Sequence, residues 1–93
     1  MSKINEIIVA SVLPTIKAVG KIEGKIEMDN VLSGIKANNT IEMYRNTIQG
    51  LHSDFSLLKD IAVRTKTKTD DGIIDLILEV VKENAVADGI ILS

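Results

Sequence analysis

The residues best equipped for chemistry in this sequence are one histidine and the polar side chains beside it. His52 is the only histidine, and Ser53, Asp54 and Ser56 follow within four residues. A catalytic Ser-His-Asp set needs side chains that converge on one point. Neighbouring residues of a helix point in different directions, because each residue turns the chain by about 100°. The cluster therefore predicts a surface histidine beside a packed helix, not a catalytic set.

The tightest acidic group is Asp70, Asp71 and Asp75, which follows Thr69. Paired carboxylates can bind a divalent ion or act as acid and base. Aspartates are also favoured at the start of a helix by the helix dipole, and Thr69 is a good N-cap. Because no histidine or second acidic group accompanies them, we expect a helix start, with no metal site, no cofactor and no enzymatic activity.

A small basic group consists of Arg64, Lys66 and Lys68. Arg64 precedes the run TKTKT at residues 65–69, and the two lysines lie within it. This run has no apolar residue and predicts a loop after a helix C-terminus, where the helix dipole favours cations. One hypothesis is a solvated loop. The other is contact with a small anionic ligand of nucleotide type, multiplied if several copies assemble. No aromatic residue lies among these charges, so stacking on nucleic acid bases is not supported.

The composition limits the classes of partner. The 93 residues include 11 basic and 13 acidic side chains, giving a net charge of −2, and no cysteine. This balance gives no overall attraction to nucleic acid or to an anionic membrane, and we expect neither partner. No stretch reaches the length of a membrane span. We expect a cytoplasmic location, which means the host cytoplasm or a virion if a phage encodes the chain.

The size and apolar content together favour association. The sequence is 45% hydrophobic, with a single tyrosine and a single phenylalanine, so its core is aliphatic. A chain of this length buries only about 60–65% of its unfolded surface. A thin core rich in aliphatic side chains gains further burial from a partner, so we expect a homo-oligomer or a protein partner.

The clearest pattern lies between Thr40 and Arg64. Apolar residues recur there at alternating steps of three and four, which is a heptad pattern and predicts one long helix over residues 40–64. We call this row the seam. The sequence leaves open whether the seam is core or interface. Its proposed anchors are Ile41, Tyr44, Ile48, Leu51, Phe55 and Leu58.

Three further segments complete the prediction. Residues 2–19 have the pattern of an amphipathic helix that bends at Pro14, because proline removes a backbone donor and crowds the preceding turn. Residues 20–39 fit a helix, which we favour, or a strand. Residues 70–87 form a helix whose apolar surface is too wide for one neighbour. Its proposed anchors are Ile74, Ile77 and Val81.

Residues 57–81, LLKDIAVRTKTKTDDGIIDLILEVV, carry a resemblance. The Thr/Lys run followed by Asp-Asp and an aliphatic helix resembles a pattern in small helical proteins of tailed bacteriophages. The resemblance implies a phage or mobile-element origin. It assigns no functional residue to this chain, and some of those phage proteins carry a membrane span that this sequence lacks.

Together these features predict one all-α domain over residues 1–93. It is a small helical bundle built on a long heptad-patterned helix hairpin and completed by homo-oligomerisation. The function expected is that of a non-enzymatic assembly, adaptor or inhibitor protein that acts through protein–protein or self-association surfaces. The alternatives are an oligomeric binding module for a small anionic ligand and a DNA-associated regulator.

Overall fold

The computed structural model describes residues 3–65 and 71–92, and within these ranges the chain forms four helices and no strand. The all-α prediction is confirmed, and the segment over 20–39 is helical. The helices are α1 Lys3–Val19, α2 Lys21–Asn38, α3 Ile41–Thr65 and α4 Asp71–Ala87.

The chain divides into two compact units, Met1–Thr47 and Ile48–Ser93. The boundary falls inside α3, so the first turns of this helix belong to unit 1 and the rest belongs to unit 2. Each unit is described separately below. The single domain over residues 1–93 stays a prediction.

In unit 1, Gly20 alone joins α1 to α2. Its amide donates to the carbonyl of Ile16 at 3.0 Å, and its carbonyl accepts from the amide of Gly24 at 3.1 Å. The residue therefore closes α1 and opens α2. Its backbone angles, φ 104° and ψ 178°, lie in a region that is essentially restricted to glycine. A side chain at this position would prevent so short a connection.

The two helices pack closely on either side of this turn. A Cβ atom on Gly24 would overlap the Cγ1 atom of Ile16, so the α2 backbone lies directly against the α1 side chain. Ile16 and Gly24 are each four residues from Gly20. The fully buried side chains of both helices continue this spacing at eight and twelve residues from Gly20, as expected for an antiparallel pair. They are Ile8, Val12, Met28 and Leu32.

Helix α1 continues through Pro14 without interruption. Proline has no amide hydrogen, so the carbonyl of Ala10 lacks its usual helical donor. One residue later, the hydroxyl of Thr15 donates to the carbonyl of Ser11 at 3.1 Å. The helix is thus tolerant of the proline, and the bend at this position stays a prediction.

Helix α2 ends in two asparagines that bond to its last turn. The amide nitrogen of Asn38 donates to the carbonyl of Gly34, and that of Asn39 donates to the carbonyl of Ile35, each at 2.8 Å. Both side-chain amides thus add hydrogen bonds to carbonyls near the C-terminal end of the helix. Asn39 itself is extended, at φ −135° and ψ 169°, so the helix cannot continue into α3.

Thr40 then caps α3. Its Oγ1 accepts from the backbone amide of Met43 at 3.1 Å, which is an N-cap hydrogen bond. We expect Thr40→Ala to lower the free energy of unfolding by about 1 kcal/mol. Thr47→Ala is the matched control, since the Thr47 hydroxyl bonds only to the Met43 carbonyl one turn earlier in the same helix, at 2.8 Å.

Urea denaturation of the two threonine variants is the measurement. Alanine has the higher helix propensity inside a helix, so the Thr47 variant is expected to match or exceed the wild type. Equal destabilisation of both variants would show that the Thr40 hydroxyl makes no special contribution as a cap.

In unit 2, α4 runs antiparallel to the second part of α3. Lys59 Nζ lies 2.6 Å from Asp75 Oδ1 near the start of α4, and Gln49 Nε2 donates to the carbonyl of Ile91 beyond its end, at 3.1 Å. The two contacts thus link opposite ends of the pair. The ion pair is half-exposed, so its contribution to stability is about 0.2–1 kcal/mol.

Helix α4 ends in a Schellman motif. The amide of Ile90 donates to the carbonyl of Ala85 at 2.8 Å, and the amide of Gly89 donates to the carbonyl of Val86 at 3.4 Å. Gly89 has φ 67°, the left-handed conformation that this motif requires and that glycine adopts without penalty. The chain therefore turns away from the helix axis after Ala87.

Candidate interaction surface

Most of the proposed seam anchors are buried within a single chain. In unit 1 this holds for Tyr44, and in unit 2 for Ile48, Leu51 and Phe55, none of which exposes more than 3% of its surface. Leu58 is half-buried. Because these side chains are already covered, they are core residues, and another copy of the chain gains little by contacting them.

Ile41 is the exception in the seam. It starts α3 and exposes 72% of its surface, so it is not a core residue. Ile41 is the first helical residue after the N-cap, so no helical turn precedes it. The heptad pattern assumes helical neighbours on both sides, and this explains why Ile41 is exposed although it fits the pattern. The role of Ile41 as an interface anchor stays a prediction.

The three proposed anchors in α4, Ile74, Ile77 and Val81, are buried. Further apolar side chains of this helix are buried with them, and they occupy more than one face. They are Leu76, Leu78, Val80 and Ala85. The wide apolar surface that the sequence predicts for α4 is therefore covered within the chain.

Several large apolar side chains of the described residues are exposed, and four of them form two pairs, each spaced by four residues on one helix. On α2, Ile22 and Ile26 expose 77% and 50% of their surface, and we call them the α2 pair. On α3, in unit 2, Leu57 and Ile61 expose 59% and 47%, and we call them the α3 pair. The members of each pair are four residues apart, so they share a helix face and form a small apolar patch.

Ile22 and Ile26 are large apolar residues four apart on α2, yet both are exposed. The buried face of α2 instead contains Gly24, Met28 and Leu32. These three residues are also spaced by four. The four-residue spacing of the buried face is visible in the sequence. A glycine, however, adds little to a hydrophobic pattern, even where it permits the closest contact between helices.

The chemical groups considered in the sequence do not converge. Arg64 Nη2 lies 2.9 Å from Asp60 Oδ2, so this cation pairs one turn back along its own helix. Lys66 and Lys68 lie outside the described residues, as does Asp70. Of the three cations proposed to contact an anionic ligand, only Arg64 lies within the described residues. The ligand hypothesis stays a prediction.

The described residues do not bring together the side chains that a metal site or an acid–base pair would need. Within 3–65 and 71–92, no group of three or more His, Asp or Glu side chains comes together in a way that could hold a metal ion. His52 is half-buried on α3, and Asp75 forms an ion pair with Lys59. Every buried side-chain nitrogen and oxygen in these ranges has a hydrogen-bond partner.

The α2–α3 junction forms an open depression, lined by residues 37–40 and Met43. Its polar groups already serve the helix ends: the side-chain amides of Asn38 and Asn39 bond to α2, and the Thr40 hydroxyl bonds to α3. All of these lining residues are exposed. The depression follows from the two caps and offers no convergent set of ligand-binding groups.

A search of the helices over the described residues found none long and apolar enough to cross a membrane. No protein-family model, curated protein or solved structure matches the chain. The exposed surfaces of the helices remain as the guide to function, and the resemblance of residues 57–81 to phage proteins stays a prediction.

Proposed function

We propose that this protein is a small non-enzymatic assembly or adaptor protein that acts by contact with other protein chains, including copies of itself. The observation that supports this is the pairing of exposed aliphatic side chains on α2 and on α3. Single exposed apolar residues are normal on protein surfaces, whereas contiguous apolar patches mark interaction sites. An inhibitor that covers another protein's surface belongs to the same class.

The sequence leaves open whether the seam is core or interface, and the burial of its side chains favours core. The seam side chains from Tyr44 to Phe55 and the α4 anchors are buried within one chain. The contact surface we propose therefore consists of side chains outside the seam. Association then leaves the core intact, so folding and assembly are separate steps.

The size of the α2 pair sets the expected affinity. If two copies bury four isoleucines, each contributes at most about 1.5–3 kcal/mol. The sum is reduced because the side chains are only partly exposed at the start. This free-energy gain must offset a cost of roughly 4–15 kcal/mol for the translational and rotational freedom lost on association. We therefore expect a weak complex that forms in the micromolar to millimolar range.

Light scattering over a concentration series tests the proposal. We expect the weight-average mass to rise above 10.1 kDa, the mass of one chain, as concentration increases. The variant Ile22→Asn/Ile26→Asn is expected to shift this rise to higher concentration, because amide side chains remove the apolar gain on burial. A mass of 10.1 kDa throughout the series would contradict self-association.

No group of His, Asp or Glu side chains among the described residues could hold a metal ion, and we propose no reaction. The DNA-associated regulator stays an alternative without structural support, and it predicts retarded migration of DNA at low salt, where electrostatic attraction is greatest.

A further inference from the structure

The α2 pair is flanked by opposite charges in a regular pattern. The segment KIEGKIE at residues 21–27 repeats Lys-Ile-Glu, so each exposed isoleucine has a lysine before it and a glutamate after it. With about 100° of rotation per residue, Lys25 and Glu23 lie about 80° to either side of the centre of the pair. Lys21 and Glu27 lie about 120° to either side on the same geometry.

The patch is thus an apolar stripe with a basic flank and an acidic flank. Lys21 and Glu23 are exposed, while Lys25 and Glu27 are half-buried. Lys25 also interacts within its own chain, as does Asp29, which lies on the basic flank one turn further along. The basic flank is therefore confined to the first turn and a half of α2, beside the α2 pair itself.

Such a pattern distinguishes the two ways in which identical helices can pack. When two copies pack in parallel about a two-fold axis, the basic flank of each faces the acidic flank of the other. When they pack antiparallel, lysine faces lysine and glutamate faces glutamate. Opposite charges across an interface are favoured and like charges are strongly disfavoured. The charges of α2 therefore complement a second copy of α2 in the parallel orientation only.

We propose that the α2 pair is the contact surface for a second copy of this chain, and that the two α2 helices pack in parallel. This inference rests on the self-association proposed above and assigns the helix and the orientation. The α3 pair has no comparable pattern, because three of the four residues next to Leu57 and Ile61 are uncharged, namely Ser56, Leu58 and Ala62. Charge complementarity thus selects α2.

Introduced cysteines test the orientation, since the natural chain has none. Ser33 is exposed and lies seven residues after Ile26, so it continues the stripe. In a parallel pair, two Ser33→Cys side chains face each other, and we expect rapid formation of a disulfide-linked dimer under mild oxidation. In an antiparallel pair centred on Ile22 and Ile26, the two cysteines lie far apart and do not react.

The control is Lys82→Cys, an exposed position on α4. Circular dichroism first confirms that both cysteine variants are folded. If the Ser33 variant crosslinks no faster than the Lys82 variant while the wild-type mass still rises with concentration, the parallel α2 contact is wrong and the proposed function survives. If the wild type is monomeric throughout, both proposals fail.

Charge variants provide a second, independent readout. Lys21→Glu/Lys25→Glu makes both flanks acidic, and we expect the dissociation constant to increase about tenfold through like-charge repulsion. Adding Glu23→Lys/Glu27→Lys exchanges the flanks and restores complementarity, so association is expected to return to the wild-type level. Failure of the fourfold variant to recover while circular dichroism shows it folded would contradict the charge argument.

Discussion

Leu51→Ala is expected to lower the free energy of unfolding by about 2–5 kcal/mol, the largest effect among the changes considered for this protein. Leu51 exposes 1% of its surface in the middle of the seam. Truncation removes its burial energy and leaves a cavity that the surrounding side chains fill only in part. A loss of this size is a large share of the roughly 5–15 kcal/mol by which domains are stable.

Leu57→Ala is the matched control, because it is the same substitution on the same helix. Leu57 exposes 59% of its surface, so we expect its truncation to change stability by less than about 0.5 kcal/mol. Chemical denaturation of both variants at two protein concentrations is the measurement. If the Leu51 effect disappeared on dilution, the seam would be an interface between copies and its assignment to the core would be wrong.

Gly24→Ala is expected to destabilise the protein by about 1–3 kcal/mol through overpacking. The new Cβ would lie 3.1 Å from Cδ1 of Ile16 and closer still to its Cγ1. Ile16 is β-branched and stiff at χ1 within a helix, so its side chain cannot rotate away without cost. This strain outweighs the gain of up to about 1 kcal/mol in helix propensity that alanine brings.

Gly34→Ala provides the control on the same helix. A Cβ at Gly34 meets no atom within 4 Å, so only the gain in helix propensity remains and we expect stabilisation. The two variants are thus expected to change the midpoint of thermal or urea unfolding in opposite directions. Stabilisation by both would show that α1 and α2 do not approach closely at Gly24.

The double variant Ile16→Ala/Gly24→Ala isolates the steric term. Removing the Ile16 side chain beyond Cβ makes room for the new methyl group, so the Gly24 substitution is expected to cost less in this background than in the wild type. The difference between the two costs is the coupling energy of the pair. A coupling near zero would contradict direct contact between Ile16 and the Gly24 backbone.

The sequence predicts helix packing best where large apolar side chains determine it. The seam from Tyr44 to Phe55 consists of large apolar side chains at heptad spacing, which predicts that they pack but leaves open whether in the core or in an interface, and they are buried within one chain. The caps at Thr40 and Gly89 each depend on local chemistry that a few neighbouring residues define.

The α2 face was harder to predict because its packing depends on an absent side chain. Ile22 and Ile26 outweigh Gly24 in any hydrophobic pattern, yet the close contact with Ile16 requires glycine and turns the isoleucines outward. The one-residue connection at Gly20 places both helices so close that Gly24 must face α1. The same exposed isoleucines, with their flanking charges, carry the proposal for association.

We propose that a chain whose seam side chains are already buried associates through side chains exposed on α2. Light scattering of the wild type beside Ile22→Asn/Ile26→Asn, from micromolar to millimolar concentration, measures this association. We predict that the wild-type mass rises above 10.1 kDa while the folded variant remains near that value over most of the range. A wild-type mass that stays at 10.1 kDa, or an equal rise in both proteins, would contradict the claim.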